Sequence, residues 1–166
     1  AYTVSRAMKV VDKLIEQHKL DKVVLAGHSF GGYVAANVAS RSKHKGKIKA
    51  LTLLAPAFNT PTKKIEGQAR RDMELAKHPA FPLVKGMPIT IHHGSADTAV
   101  PLKASQSFKT HQKSKGGTVP RLRTITGGDH IIRDKGQEKA LLADFAKQIH
   151  KAFGLTPKAS AKSGKR

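Results

Sequence analysis

Between Val23 and Ser40 the chain reads VVLAGHSFGGYVAANVAS: four apolar residues, a Gly-His-Ser-Phe-Gly-Gly turn, and a segment rich in Ala and Val. An apolar run this short reads as a strand buried on both faces, as strands in parallel sheets are. Gly31 to Ser40 reads as a helix whose small side chains let it lie close to a sheet. Strand, sharp turn and helix in direct succession form one step of an alternating α/β layout.

The flanking sequence repeats that step. Val4, Met8, Val11 and Ile15 mark one face of a helix from Tyr2 to about His18, with Leu14 beside them. Beyond the charged connector RSKHKGKIK, ALTLLA predicts a second buried strand, MPITIHH a third and PRLRTIT a fourth. Helices are expected around Ile65 to Lys77, from Leu102 to Gln112 and from Gln137 to Phe153. The last of these should set Leu141, Leu142, Phe145, Ile149 and Phe153 on one face. The expected fold class is therefore α/β, a mostly parallel sheet flanked by helices, in one domain over residues 1–153. Residues 154–166 read as a basic, disordered tail. The 166 residues suffice for one domain with a real core.

A serine on a sharp strand-to-helix turn raises a chemical question. In Gly27-His28-Ser29-Phe30-Gly31 the glycines suit a nucleophile held in a strained backbone conformation, where side chains two residues either side would collide. A serine hydroxyl is a poor nucleophile at neutral pH and needs a base, which needs an orienting acid. The third strand runs into HHGSAD and leaves Asp97 in the following loop. The fourth runs into TGGDH and leaves His130 in the equivalent loop. Catalytic groups of open α/β sheets gather outside those strand ends. Asp97 also suits a helix cap, and Asp129 is a poorer acid because neighbours in sequence rarely orient one another's rings. His92 and His93 fall on opposite faces of a strand, so a shared metal is not expected. His28 is expected to pack or hydrogen-bond locally.

The order Ser29, Asp97, His130, with GHSFGG, GSADTAVP and GGDH as the three loops, resembles that of an α/β-hydrolase, and the resemblance runs nearly to Phe153. It implies the family's fifth to eighth strands and a small esterase without a large cap. It also implies Ser29 as nucleophile, His130 as base, Asp97 as acid and the Phe30 amide as one oxyanion donor, with no metal or organic cofactor. The implied substrate is a small acyl ester or thioester. APAFNTP and KHPAFP suggest a modest apolar pocket wall. By the same resemblance four more strands and a second oxyanion donor would precede Tyr2, leaving Val23 to Ala26 as an open edge that a polypeptide partner could complete. Those missing parts imply half of a larger hydrolase, a fragment completed by another chain, or a silent hydrolase in an assembly. Separately, the chain begins at Ala rather than Met, so a processed chain or part of a longer product is expected.

Charge supplies the other expectation. The formal net charge is +20 and the pI near 10.5, which favours RNA, anionic lipid or another polyanion. Candidate contacts are Arg41, Lys43, Lys45, Lys47, Lys49, Lys113, Lys115, Arg121 and Arg123, with a well-solvated surface as the alternative. Few, scattered aromatics argue against a base-stacking platform. No stretch is long and apolar enough for a transmembrane helix and no secretory signal opens the chain as given. With zero cysteines, this fits an intracellular compartment, cytoplasmic or organellar.

Overall fold

In the computed structural model, residues 4–58 and 79–155 are described. The helix expected at Ile65 to Lys77 and the tail from residue 156 onward lie outside the described residues. Four strands, β1 (Val23–His28), β2 (Ile48–Leu54), β3 (Ile89–Gly94) and β4 (Arg121–Ile125), pair in the order β1-β2-β3-β4, every pair parallel. Helices α1 (Val4–Gln17), α2 (Phe30–Arg41), α3 (Leu102–Ser114) and α4 (Lys135–Phe153) alternate with them. The α/β class read from the sequence is the one observed, strand for strand.

One face of the sheet carries the core. Leu51, Leu53, Ile89 and Ile91 pack against Ala35, Ala36 and Ala39 of α2, Val4 of α1 and Phe108 of α3. Small residues let α2 come close: a Cβ on Gly32 would stand 2.8 Å from Pro56 Cβ. Phe58 is fully buried and stacks on Phe108 with centroids 4.0 Å apart. It is therefore a core residue, and residues 59–61 and 77–78 of the two stretches expected to wall a pocket lie outside the described residues. Gln112, also fully buried, holds the approach to β3 by donating from Nε2 to the Pro82 carbonyl (2.6 Å) and accepting from the Val84 amide (3.2 Å).

Helix α4 covers the other face, and here the expected apolar stripe is corrected. Leu141 is buried, but Leu142 and Ile149 are 58% and 39% exposed. The reason is polar. His92 Nε2 donates to Asp144 Oδ2 (2.8 Å), Gln148 Nε2 donates to the same oxygen (2.9 Å), and Thr52 Oγ donates to Gln148 Oε1 (3.1 Å). Positions 141, 144, 145 and 148 share one helical face, and turning it inward carries 142 and 149 out. Asp134 caps the start of α4 through the Gln137 amide (2.8 Å), and Gly154, at φ 69°, ends it in the left-handed conformation. Among the described residues β1 pairs only with β2, and its residues are partly exposed rather than buried on both faces. An outermost strand has a neighbour on one side only. No helix of the described residues is long and apolar enough to cross a membrane.

Candidate active site

The carboxyl ends of parallel strands lie along one edge of a sheet, and three loops meet there. The first follows β1. Ser29 sits at φ 53°, ψ −124°, a region that L-residues other than glycine occupy only under constraint, at a cost on the order of 1–3 kcal/mol. Backbone bonds impose it: the Ser29 amide donates to the Leu54 carbonyl (2.9 Å), while the Ser29 carbonyl accepts from Gly32 and Ala57 (both 3.0 Å). The chain is thus pinned to β2 on one side and turned directly into α2 on the other. Phe30 is the first residue of α2, so its amide has no intrahelical acceptor. The helix N-terminus beside it favours negative charge.

The two glycines of the turn are not equivalent. A Cβ on Gly27 would meet the Gly31 carbonyl oxygen at 2.4 Å and Gly32 Cα at 2.7 Å, whereas one on Gly31 would meet nothing within 4 Å. The collision expected at Gly31 therefore falls on Gly32 instead.

The second and third loops are laced together. Ser95 donates its amide to the Ile125 carbonyl and Ala96 to the Gly128 carbonyl, both at 2.9 Å. Such contact requires bare backbone, since a Cβ on Gly94 would lie 2.1 Å from the Gly128 oxygen. Across this junction His130 Nδ1 donates to Asp97 Oδ2 at 2.7 Å. Asp97 Oδ1 accepts from the amides of Ala99 (2.9 Å) and Val100 (2.8 Å). The helix-cap expectation for Asp97 is corrected: α3 begins after Pro101 with no side-chain cap, and one Asp97 oxygen instead closes the turn before it while the other meets His130. Its side chain is fully buried and that of His130 is 23% exposed, so the imidazole bridges the interior and solvent. Asp129 turns away to Arg133 (2.8 Å).

His28 links the serine loop to the histidine loop. Its Nε2 donates to the His130 carbonyl (2.9 Å) and the two rings lie 4.7 Å apart. This contact is not local, since it spans most of the chain. Ser29 Oγ itself makes no hydrogen bond among the described residues. Contacts between catalytic side chains in ligand-free sites are commonly loose and tighten on binding.

His92 and His93 do point to opposite sides. His92 meets α4, while His93 meets Ser105 of α3 through Nδ1 (2.7 Å) and the Val100 carbonyl through Nε2 (2.8 Å). Burial pushes both imidazoles below the ordinary histidine range. His93 is the site residue that sequence reasoning missed; the signal available was its place four residues before Asp97.

The candidate cations mostly gather at the opposite edge. Arg41 ends α2, Lys43 to Lys47 lead into β2, Lys49 is the second residue of β2, Lys113 and Lys115 end α3, and Arg121 opens β4. All stand near the amino ends of strands. Arg123 does not join them, since its Nε faces Asp144 at 3.2 Å. Lys43 is paired with Glu16, and Lys47 lies 3.7 Å from Asp21.

Residues 3–87, half of the chain, match the family described as serine aminopeptidase, S33. Over 82 residues the chain is 33% identical to an Arabidopsis thaliana protein named "Probable lysophospholipase BODYGUARD 1", covering 49% of this chain and 17% of that protein's length. Among solved structures it resembles the Paleococcus ferrophilus monoacylglycerol lipase (TM-score 0.67, 18% identity, 91% of this chain and 76% of that one). It likewise resembles Thermogutta terrifontis esterase 2, solved phosphonylated by sarin (TM-score 0.68, 21% identity, 93% and 67%). At these identities the structural likeness speaks to fold alone.

Proposed function

The chain belongs to the serine aminopeptidase S33 family of α/β-hydrolases, and on that premise we propose that it is a serine hydrolase cleaving a carboxylic ester or thioester. One observation carries the proposal. Ser29 is held in a strained conformation at the start of α2, in a loop that His28 bonds to the loop of an Asp97-oriented His130. Backbone strain that the surrounding bonds hold in place collects at functional sites.

In the proposed reaction Ser29 Oγ attacks the acyl carbon as His130 Nε2 takes its proton. Asp97 holds the ring in the tautomer that leaves Nε2 free and stabilises the imidazolium that forms. The Phe30 amide, aided by the α2 N-terminus, stabilises the tetrahedral oxyanion. Collapse breaks the bond to the alcohol or thiol, which leaves with the proton from His130. Water, deprotonated by the same imidazole, then releases the acid and restores the serine.

A fluorophosphonate reads this directly, because it needs an activated serine and no knowledge of the natural substrate. Covalent labelling of the wild-type chain at Ser29, lost in Ser29→Ala, is the expected result. A wild-type chain that stays unlabelled, or a label that survives Ser29→Ala, ends the proposal.

A second reading has its own observation: Arg41, Lys45, Lys49, Lys113, Lys115 and Arg121 share the edge of the sheet opposite Ser29. This edge suits a phosphate backbone and leaves the hydrolase site free. Binding to a single-stranded RNA should weaken steeply with salt, its log–log slope growing by about 0.7 per phosphate engaged. Reversing Lys45, Lys49 and Lys115 to Glu should flatten that slope; a slope near zero in the wild-type chain argues for a merely solvated surface.

A further inference from the structure

We propose that His93 is a positioning residue for Asp97, holding the acid's turn and carboxylate so that His130 meets them in a single orientation. This rests on the hydrolase reading for its catalytic consequence, but not for its structural one.

Its protonation follows from its partners. The Val100 carbonyl can only accept a hydrogen bond, so the nitrogen 2.8 Å from it, Nε2, carries a proton. The ring is fully buried, which disfavours a second proton, so Nδ1 accepts from the Ser105 hydroxyl at 2.7 Å. Ser105 is fully buried as well, so its hydroxyl holds the ring from the side opposite the Val100 carbonyl that sets the tautomer. The same Nε2 stands 3.4 Å from Asp97 Oδ2, the oxygen that receives His130 Nδ1.

The residues from Asp97 to Val100 are therefore held at both ends. Two amides bind Oδ1, and the His93 N–H binds the carbonyl at the far end while facing Oδ2. A buried carboxylate stays in place only when its oxygens are supplied with donors. Three of those nearby belong to the turn and to His93, and the fourth is the imidazole whose position matters. Removing the His93 N–H would leave the Val100 carbonyl unpaired and allow the carboxylate to rotate about its two amide bonds. Small misplacements of this kind can cost on the order of 10²-fold in rate.

The experiment compares His93→Leu, His93→Gln and Ser105→Ala with the wild-type chain by two readouts. One is the low-field proton resonance of the His130–Asp97 hydrogen bond, which needs no turnover. The other is kcat and KM on 4-nitrophenyl butyrate. His93→Leu should broaden or move the resonance and lower kcat by about 10–100-fold with KM little changed. His93→Gln, whose amide N–H reaches toward the same acceptor, should recover much of both. Ser105→Ala, which removes the partner of Nδ1 and leaves the ring held on one side only, should show a smaller loss in the same direction. Should His93→Leu fail to fold, the other two variants decide. A resonance and kcat at wild-type values in His93→Leu, or in Ser105→Ala where the first does not fold, overturn the proposal. An inert wild-type chain whose resonance still responds to His93 would sink the hydrolase reading and leave this one standing.

Discussion

Asp97→Asn should lower kcat by about 10⁴-fold while leaving the fold and KM nearly unchanged. The size of the effect comes from the orientation the amide is forced to take. Ala99 and Val100 both present N–H groups to one oxygen of Asp97, so the carboxamide must place its oxygen there. Its NH₂ then faces His130 Nδ1, which now donates to Asp97 Oδ2 at 2.7 Å. Two donors cannot share that contact. The imidazole moves its proton to Nε2, the atom that must receive the proton of Ser29, and the base is lost. The substituted NH₂ would also face the Nε2–H of His93, 3.4 Å from that position in the native chain. Asp129→Asn is the control, because Asp129 pairs with Arg133 on the exposed side of the loop. Ester hydrolysis measured beside urea unfolding separates the two effects. Wild-type turnover in Asp97→Asn, or a comparable loss in Asp129→Asn, would remove Asp97 from the mechanism.

The architecture was legible because each strand is a short apolar run and each helix a periodic one, bounded by turns; the four expected strands overlap the four observed. The Asp97–His130 contact was legible for a topological reason. Parallel strands bring their carboxyl ends together, so residues just beyond two neighbouring ends tend to meet. Packing beyond the backbone plan was less visible. A stripe of apolar residues on α4 gave no hint that Asp144 and Gln148 would claim the inward face by bonding His92 and Thr52. His93 escaped notice because its partners, Ser105 and Val100, lie on a helix and in a turn whose approach depends on how α3 docks. Nothing in APAFNTP marks Phe58 for the core, because the Phe108 ring it stacks on lies fifty residues away. Each miss concerns a side chain whose role depends on a distant neighbour.

The same distinction yields the second large prediction, at the glycines of the turn. Gly27→Ala should destabilise the chain by about 3 kcal/mol, the upper part of the usual overpacking range, and abolish labelling of Ser29. The new methyl would lie 2.4 Å from the Gly31 oxygen, 2.6 Å from its carbonyl carbon and 2.7 Å from Gly32 Cα. All three are backbone atoms in the first turn of α2, so no rotamer change relieves the contact and the helix start must move. Gly31→Ala has the opposite expectation. Its methyl meets nothing within 4 Å, it lies within a helix, and it reduces the freedom of the unfolded chain, together worth about 0.4–1 kcal/mol of added stability. Gly32→Ala should fall between them, because its methyl meets Pro56 Cβ at 2.8 Å, a side chain with limited room to yield. Urea midpoints and fluorophosphonate labelling of the three variants test the ordering. If Gly31→Ala proved as damaging as Gly27→Ala, the second glycine would be needed for something other than space, such as approach of a substrate to the α2 N-terminus. If Gly27→Ala kept the native midpoint, the close passage of β1 against α2 would be wrong, and with it the geometry that holds Ser29 in its strained conformation.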